Sequence, residues 1–175
     1  DRYDKNESLS ICKPFDVCLR STVVTERCVI CPKNRRCELQ QVADYIEIKE
    51  ISLPYTYRDL PVFTNDPFFD RDYNLCILCA RCVRVCQEVR GAGVIALTYR
   101  GSQTVVSTAF GRTLEEVGCQ FCGACVDACP TGALTERSRK WLGLAEREVV
   151  TTCPYCGVGC QLKLQLKAGK IIEVL

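Results

Sequence analysis

The residues in this chain that could do chemistry are its cysteines, 16 of them among 175 residues, with no histidine and no methionine beside them. Eight fall in two runs of identical spacing, Cys76-x2-Cys79-x2-Cys82-x3-Cys86 and Cys119-x2-Cys122-x2-Cys125-x3-Cys129. A thiolate is a soft, anionic donor, and four so close together can wrap a metal centre from one tight loop and the helix that follows it. Half-cystines two residues apart rarely satisfy disulfide geometry with each other, and disulfide frameworks belong to short secreted chains poor in core residues. Here 47% of residues are hydrophobic. Zinc prefers two separated Cys-x2-Cys knuckles to one compact run, so the expected chemistry is that of iron–sulfur clusters. Without histidine, no Ser-His-Asp or Cys-His nucleophilic set can be built, and no catalytic residue is expected within this span.

Charge and hydropathy narrow the classes further. The formal net charge of +2 counts every cysteine as neutral. A cubane on four thiolates carries about −2, so four of them bring the total to about −6, and nucleic acid is not an expected partner. No stretch of some 18 apolar residues spans a membrane, and no leader-like apolar segment opens the sequence. Thiolates at this density need a reducing compartment, so a cytoplasmic location is expected.

The duplicated run carries a crossed expectation. In two-cluster ferredoxins the fourth cysteine of each run ligates the other cluster. Cys129 is then expected to join Cys76, Cys79 and Cys82, and Cys86 to join Cys119, Cys122 and Cys125. Pro130 turns the chain away after Cys129, and the small Gly123 and Ala124 let backbone N–H groups approach sulfur. Upstream, Cys28-x2-Cys31-x5-Cys37 followed by Glu38-Leu39-Gln40 resembles the segment that precedes the ferredoxin-like clusters in the large iron–sulfur subunit of respiratory complex I. Iron-only hydrogenases and NAD-dependent formate dehydrogenases share that segment. The resemblance implies a histidine four residues before the first cysteine, where this chain has Val24. The fourth ligand is then Cys18 or Cys12, and the nearer Cys18 closes the smaller loop; a zinc site is the alternative reading of this segment. At the other end, Cys153-Pro154-Tyr155-Cys156-Gly157-Val158-Gly159-Cys160 resembles the opening of molybdopterin oxidoreductases, formate dehydrogenases above all. That resemblance implies three ligands of a further cubane. The fourth is a cysteine beyond residue 175 or Cys12. It also implies a Mo or W bis-pterin cofactor only if the chain continues past that residue.

These ligands need elements to position them. The expected fold class is α+β, a two-cluster ferredoxin-like domain flanked by small cysteine-rich segments. Residues 1–50 form an N-terminal cluster segment, 51–72 a Pro-rich linker, 73–135 the ferredoxin-like domain, 136–150 a connecting helix, and 151–175 a truncated molybdopterin-type segment. Leu39, Val42, Ala43 and Ile46 share one helical face, residues 94–99 and 104–110 read as short strands, and the alternation of 161–166 with 171–175 reads as a hairpin. Gly91-Ala92-Gly93 reads as a turn rather than a phosphate loop. Arg81, Arg84 and Arg90 read as solvated helix faces or as charges that raise a cluster potential, and Trp141 as a packing residue or a partner's anchor. At least three and up to four 4Fe–4S clusters are expected, relaying single electrons. The resemblance implies a flavin/NAD(H)-binding diaphorase-type subunit or a ferredoxin on one side and a catalytic oxidoreductase subunit on the other. The rival reading is the N-terminal part of a Mo/W formate dehydrogenase catalytic subunit.

Overall fold

The computed structural model describes residues 31–47 and 58–175. Cys12, Cys18, Val24 and Cys28 lie outside them, and so does most of the expected N-terminal cluster segment. Helix α1 (Glu38–Tyr45) follows directly on Cys37. Its buried residues are Gln40 and Ala43, whereas Val42 and Ile46, expected on the inner face, are exposed. Polar anchoring at the first turn sets this orientation. Leu39 N–H donates to the Pro130 carbonyl at 3.4 Å, and Gln40 Oε1 accepts from Arg35 N–H at 2.9 Å.

Of the stretch expected as a linker, residues 58–72 are described, and they contribute to the domain instead. Strands β1 (Val62–Phe63) and β2 (Phe69–Asp72) pair antiparallel with each other, and β2 pairs with β5 (Leu134–Glu136), giving the order β1-β2-β5. The physical cause is Asn74, which is fully buried. Its side chain accepts from Leu60 N–H at 2.8 Å and donates to the Leu60 carbonyl at 2.7 Å, drawing the Pro-rich segment onto the sheet. Pro61 precedes β1 at the sheet edge, where no ladder donor is required.

Strands β3 (Ala96–Thr98) and β4 (Val105–Ser107) fall within the two stretches expected as short strands, and they pair antiparallel across a turn at Gly101–Gln103. Two short helical segments carry the duplicated cysteines. Helix α2 (Arg81–Arg84) runs into a wider π turn over Val85–Val89, and α3 (Ala124–Asp127) lies in the second copy. Gly91-Ala92-Gly93 is a turn: Ala92 and Gly93 N–H groups both donate to the Cys86 carbonyl, at 3.0 and 3.3 Å, and terminate the π segment. Between these pieces Phe69, Tyr73, Leu75, Val106 and Leu134 pack with Cys82, Cys86 and Cys129 into one buried cluster.

The expected helix over 136–150 does not form. Residues 137–141 make a turn, Trp141 and Gly143 take the left-handed region at φ 68° and 73°, and β6 (Arg147–Thr152) begins soon after. Val149, Val150, Thr151 and Thr152 are β-branched and fit a pleated surface. β6 pairs with β7 (Gln161–Lys167), which pairs with β8 (Lys170–Val174), so the expected hairpin gains a third strand. Arg139, 3% exposed, holds the turn to this sheet by donating to Glu173 at 3.0 Å and to the Gly143 carbonyl at 2.8 Å. Trp141 itself is 63% exposed, which corrects the packing role expected of it.

Candidate metal centres

The two cysteine runs fold alike from the leading cysteine through the first helical turn. Two positions after the leading cysteine stand Leu78 and Phe121, at φ 55° and 49°, and four positions after it stand Ala80 and Gly123, at φ 59° and 77°. Left-handed backbone at a non-glycine residue costs about 1 to 2 kcal/mol, so three of these four positions carry strain held by their surroundings. The conformation turns amide groups toward sulfur. Leu78 N–H donates to Cys76 Sγ and Phe121 N–H to Cys119 Sγ, both at 3.4 Å. A short helix then starts in each copy, with Ala80 and Gly123 as its N-terminal caps.

The fold brings the fourth cysteine of each run to the other copy. One cavity is lined by Cys76, Cys79, Cys82 and Cys129. A second is lined by Cys86, Cys119, Cys122 and Cys125. Tyr73 and Leu134 line both, so the cavities share a wall. Among the described residues no three Cys, Asp or Glu side chains close around a point suited to a single metal ion. Four thiols spread around one cavity suit a larger, multinuclear group, and the paired N–H···S bonds match what iron–sulfur clusters receive from their proteins. Such a cluster, when bound, supplies one-electron redox chemistry; the protein's part is to place the thiolates, direct amides at sulfur and keep water away.

Burial sets the proton affinity of these thiols. It is the largest cause that pushes Cys76 up to about 11, against the Leu78 N–H bond that favours the thiolate, and Cys129 and Cys79 add to the rise. Burial also dominates at Cys82 and Cys125, both pushed up to about 12, with Cys129 next at Cys82 and Cys82 next at Cys125. Each of these thiols is protonated at neutral pH until iron displaces the proton. Uptake of iron and sulfide by iron-free protein should therefore release the thiol protons of Cys76, Cys82 and Cys125, and apparent affinity for iron should rise with pH up to about 12. A pH-stat trace recorded during anaerobic reconstitution tests this; iron uptake that is silent in protons and indifferent to pH overturns it.

The remaining described cysteines lie at the two flanks. Cys37 is buried and its thiol donates to the Pro130 carbonyl at 3.3 Å. Cys31 is pushed up to about 11, chiefly by burial, and packs so close to Gly132 that a Cβ there would collide with its sulfur. The same short segment holds Cys129, whose thiol donates to the Thr131 carbonyl at 3.4 Å. Thus the N-terminal cysteine loop abuts the wall of the first cavity; the partners expected for it, Cys28 with Cys18 or Cys12, fall outside the described residues. At the other end, Cys153, Cys156 and Cys160 occupy the loop joining β6 to β7. Thr152 pairs with Gln161, and Cys153 N–H donates to the Cys160 carbonyl at 2.7 Å. Cys156 and Cys160 are exposed, and no further described cysteine lines this loop. Arg81 and Arg84 are solvated, as expected: Arg81 pairs with Glu38 at 2.5 Å across half-exposed side chains, and Arg84 reaches the Cys79 carbonyl at 3.4 Å. Arg90 lines the second cavity.

Sequence reasoning missed the buried polar groups around the cavities. Asp66 and Arg71 form an ion pair of 2.6 Å with both side chains 8% exposed, and the guanidinium lies 4.5 Å from the Phe63 ring centroid. Asp70 accepts from Lys140 at 2.7 Å and from Arg137 at 3.0 Å; burial alone would raise its pKa, but these two cations hold it below the usual carboxylate range. Nothing in the local sequence marks these residues apart from ordinary surface charges, because their burial comes from strand pairing.

Residues 66–135 match the NADH-quinone oxidoreductase subunit 3 ferredoxin-like domain, and residues 146–174 match the molybdopterin oxidoreductase Fe4S4 domain. Two domain families are thus matched, each by part of the chain. They are the two groups whose motifs the cysteine runs resemble. NADPH-Fe(3+) oxidoreductase subunit alpha of Geobacter sulfurreducens is 32% identical over 149 residues, covering 84% of this chain and 17% of that protein. NADH-quinone oxidoreductase subunit 3 of Thermus thermophilus is 31% identical over 167 residues, covering 84% of this chain and 20% of that protein. The chain thus spans 17% and 20% of the lengths of these two curated relatives. An NAD+-reducing NiFe hydrogenase in the H2-reduced state shares the fold, with a TM-score of 0.61 and 20% identity over 81% of this chain and 59% of that one. The fold is a mixed one of helices and small sheets around a ferredoxin-like domain. No helix among the described residues is long and apolar enough to cross a membrane.

Proposed function

We propose that this chain is an electron-relay module that passes single electrons along a row of 4Fe–4S clusters between a redox partner and the catalytic site of a larger oxidoreductase. The observation that carries the reading is the pair of four-cysteine cavities with a common wall. Two cubanes held there are close neighbours in a dry, low-dielectric setting, which is what exchange of single electrons requires. Cys76, Cys79, Cys82 and Cys129 hold one, and Cys86, Cys119, Cys122 and Cys125 hold the other. A third sits on Cys28, Cys31 and Cys37 with Cys18 as the fourth ligand, and the hydrogen bond from Cys37 to Pro130 supports a place for it beside the first cavity. A fourth is held by Cys153, Cys156 and Cys160 with a thiolate supplied from elsewhere. The N-terminal segment and the C-terminal sheet then act as the two ends of the relay, flanking the ferredoxin-like domain.

The partner that donates or accepts electrons at one end is a flavin/NAD(H)-binding subunit or a ferredoxin, in line with the nicotinamide and quinone reactions named for the relatives. A reducing compartment such as the cytoplasm keeps the ligands as thiols until clusters assemble. The match of residues 146–174 to a molybdopterin oxidoreductase domain favours a second reading, in which this module opens a Mo or W catalytic subunit. Elemental analysis of the anaerobically purified native protein separates the two: iron and sulfide alone fit the relay, and Mo or W with pterin fits the catalytic subunit. Stepwise reduction followed by EPR tests the relay itself. The ferredoxin-like domain should take up about two electrons, with spin coupling between its two centres. Uptake of none, with fewer than about eight irons bound in that domain, overturns the proposal.

A further inference from the structure

Tyr73 stands in the wall between the two cysteine-lined cavities and lines both. It is 6% exposed, and its ring meets Phe63 edge-on at 6.3 Å between centroids. Its hydroxyl is buried with no hydrogen-bond partner among the described residues. The charged neighbour is Arg71, which already gives Nε and Nη2 to Asp66 at 2.6 and 3.5 Å. A guanidinium only donates, so even a contact from Arg71 leaves the phenol proton without an acceptor. A buried donor is seldom left so, and when one is, the missing partner calls for an explanation such as an ion or cofactor.

The sulfur-rich cavities on either side of the ring offer such a partner. We infer that the Tyr73 hydroxyl donates a hydrogen bond to a sulfur of the cluster held by Cys76, Cys79, Cys82 and Cys129, and thereby raises the reduction potential of that cluster. The choice between the cavities follows from the turn that carries the ring: Tyr73–Leu75 form a 3-10 turn that runs straight into Cys76 of the first cavity, whose N–H donates to the Tyr73 carbonyl at 3.1 Å. Burial is the main reason its pKa is pushed up to about 12, and the two thiols that add to the rise are Cys82 and Cys76, both of the first cavity. An O–H···S bond draws electron density off the cluster and favours the reduced form, which bears one more negative charge. The Asp66–Arg71 pair at 2.6 Å and the Phe63 ring hold this device from behind, with Arg71 packed over that ring at 4.5 Å. Tyr73 is thus a tuning residue that sets the two neighbouring centres apart in potential without being a ligand to either.

This inference rests on the ligand assignment proposed above. Its test uses the cluster-loaded protein and the Tyr73→Phe variant, which keeps the ring and removes only the oxygen. Reductive titration followed by EPR should show the signal that disappears in Cys129→Ser titrating at a lower potential in Tyr73→Phe, with iron content unchanged. The signal that disappears in Cys86→Ser should stay where it was. Proton ENDOR on the wild-type protein should show a coupling that exchanges in D2O and is missing from Tyr73→Phe; a side chain that merely fills space would not give it. Unchanged potentials with an unchanged ENDOR spectrum overturn the inference, and so does a shift confined to the Cys86-dependent signal. If Tyr73→Phe fails to assemble clusters, the wild-type ENDOR spectrum decides by itself, since the lack of any exchangeable coupling on the Cys129-dependent signal is equally fatal. If Cys129→Ser loses no cluster at all, the ligand assignment has failed instead.

Discussion

Stripped of iron under anaerobic, reducing conditions, the protein is expected to lose the cooperative thermal transition of its ferredoxin-like domain. The reason lies in what fills the interior. Cys82, Cys86 and Cys129, each 8% exposed, are members of the same buried cluster as Phe69, Val106 and Leu134. Among the described residues the most deeply buried large side chains are few: Asn74 at 0%, Val106, Leu114 and Leu134 at 2%, and Phe69 and Arg139 at 3% exposed. The sheets that bracket this interior have two and three strands, and β1, β3, β4 and β5 are two or three residues long. Strands that short are marginal in water unless something central organises them. A structural metal in a small domain is worth about 10 kcal/mol or more of folding free energy, comparable with the whole stability of a typical domain of about 5 to 15 kcal/mol. Removing two clusters also leaves eight thiols facing two emptied cavities, with backbone strain at Leu78, Ala80 and Phe121 no longer held in place. Differential scanning calorimetry with far-UV circular dichroism before and after chelation checks this. An iron-free protein that melts with the midpoint and enthalpy of the loaded form would show that side-chain packing suffices.

The second large effect concerns which cysteine serves which cluster. Replacing Cys86 with Ser should abolish the centre of Cys119, Cys122 and Cys125, although Cys86 lies only four residues from Cys82 in sequence. The geometry behind this is the lining of the second cavity, where Cys86 faces the cysteines of the other run. Cys129→Ser should reciprocally abolish the centre of Cys76, Cys79 and Cys82. Each variant is expected to lose about four of the eight irons of the ferredoxin-like domain. The diagnostic is the pairing of spectra. The EPR spectrum of Cys86→Ser should coincide with that of Cys122→Ser, and that of Cys129→Ser with that of Cys79→Ser. Were Cys86→Ser to match Cys79→Ser instead, each run would be serving its own cluster, and the crossed arrangement would have to be abandoned.

What the sequence determined by itself is local in origin. Three cysteines spaced i, i+3 and i+6 can only converge if the loop between them curls tightly, and the left-handed residues two and four positions after Cys76 and Cys119 are that curl. The C-terminal hairpin was equally legible, because strict alternation over 161–166 reports a period that only a strand satisfies. The tertiary structure decided everything that depends on distant neighbours. Residues 136–150 look helical from their charges, yet left-handed Trp141 and Gly143 break the run and Arg147–Thr152 finds a strand partner in β7. The Pro-rich stretch reads as a linker until Asn74 pulls Leu60 inward and lets β1 and β2 join β5. The inner face of α1 follows hydrogen bonds at Leu39 and Gln40 rather than its apolar period. Tyr73, Arg71 and Asp66 are unremarked in the sequence, since a phenol or an ion pair acquires its meaning from burial, and burial is a property of the whole fold.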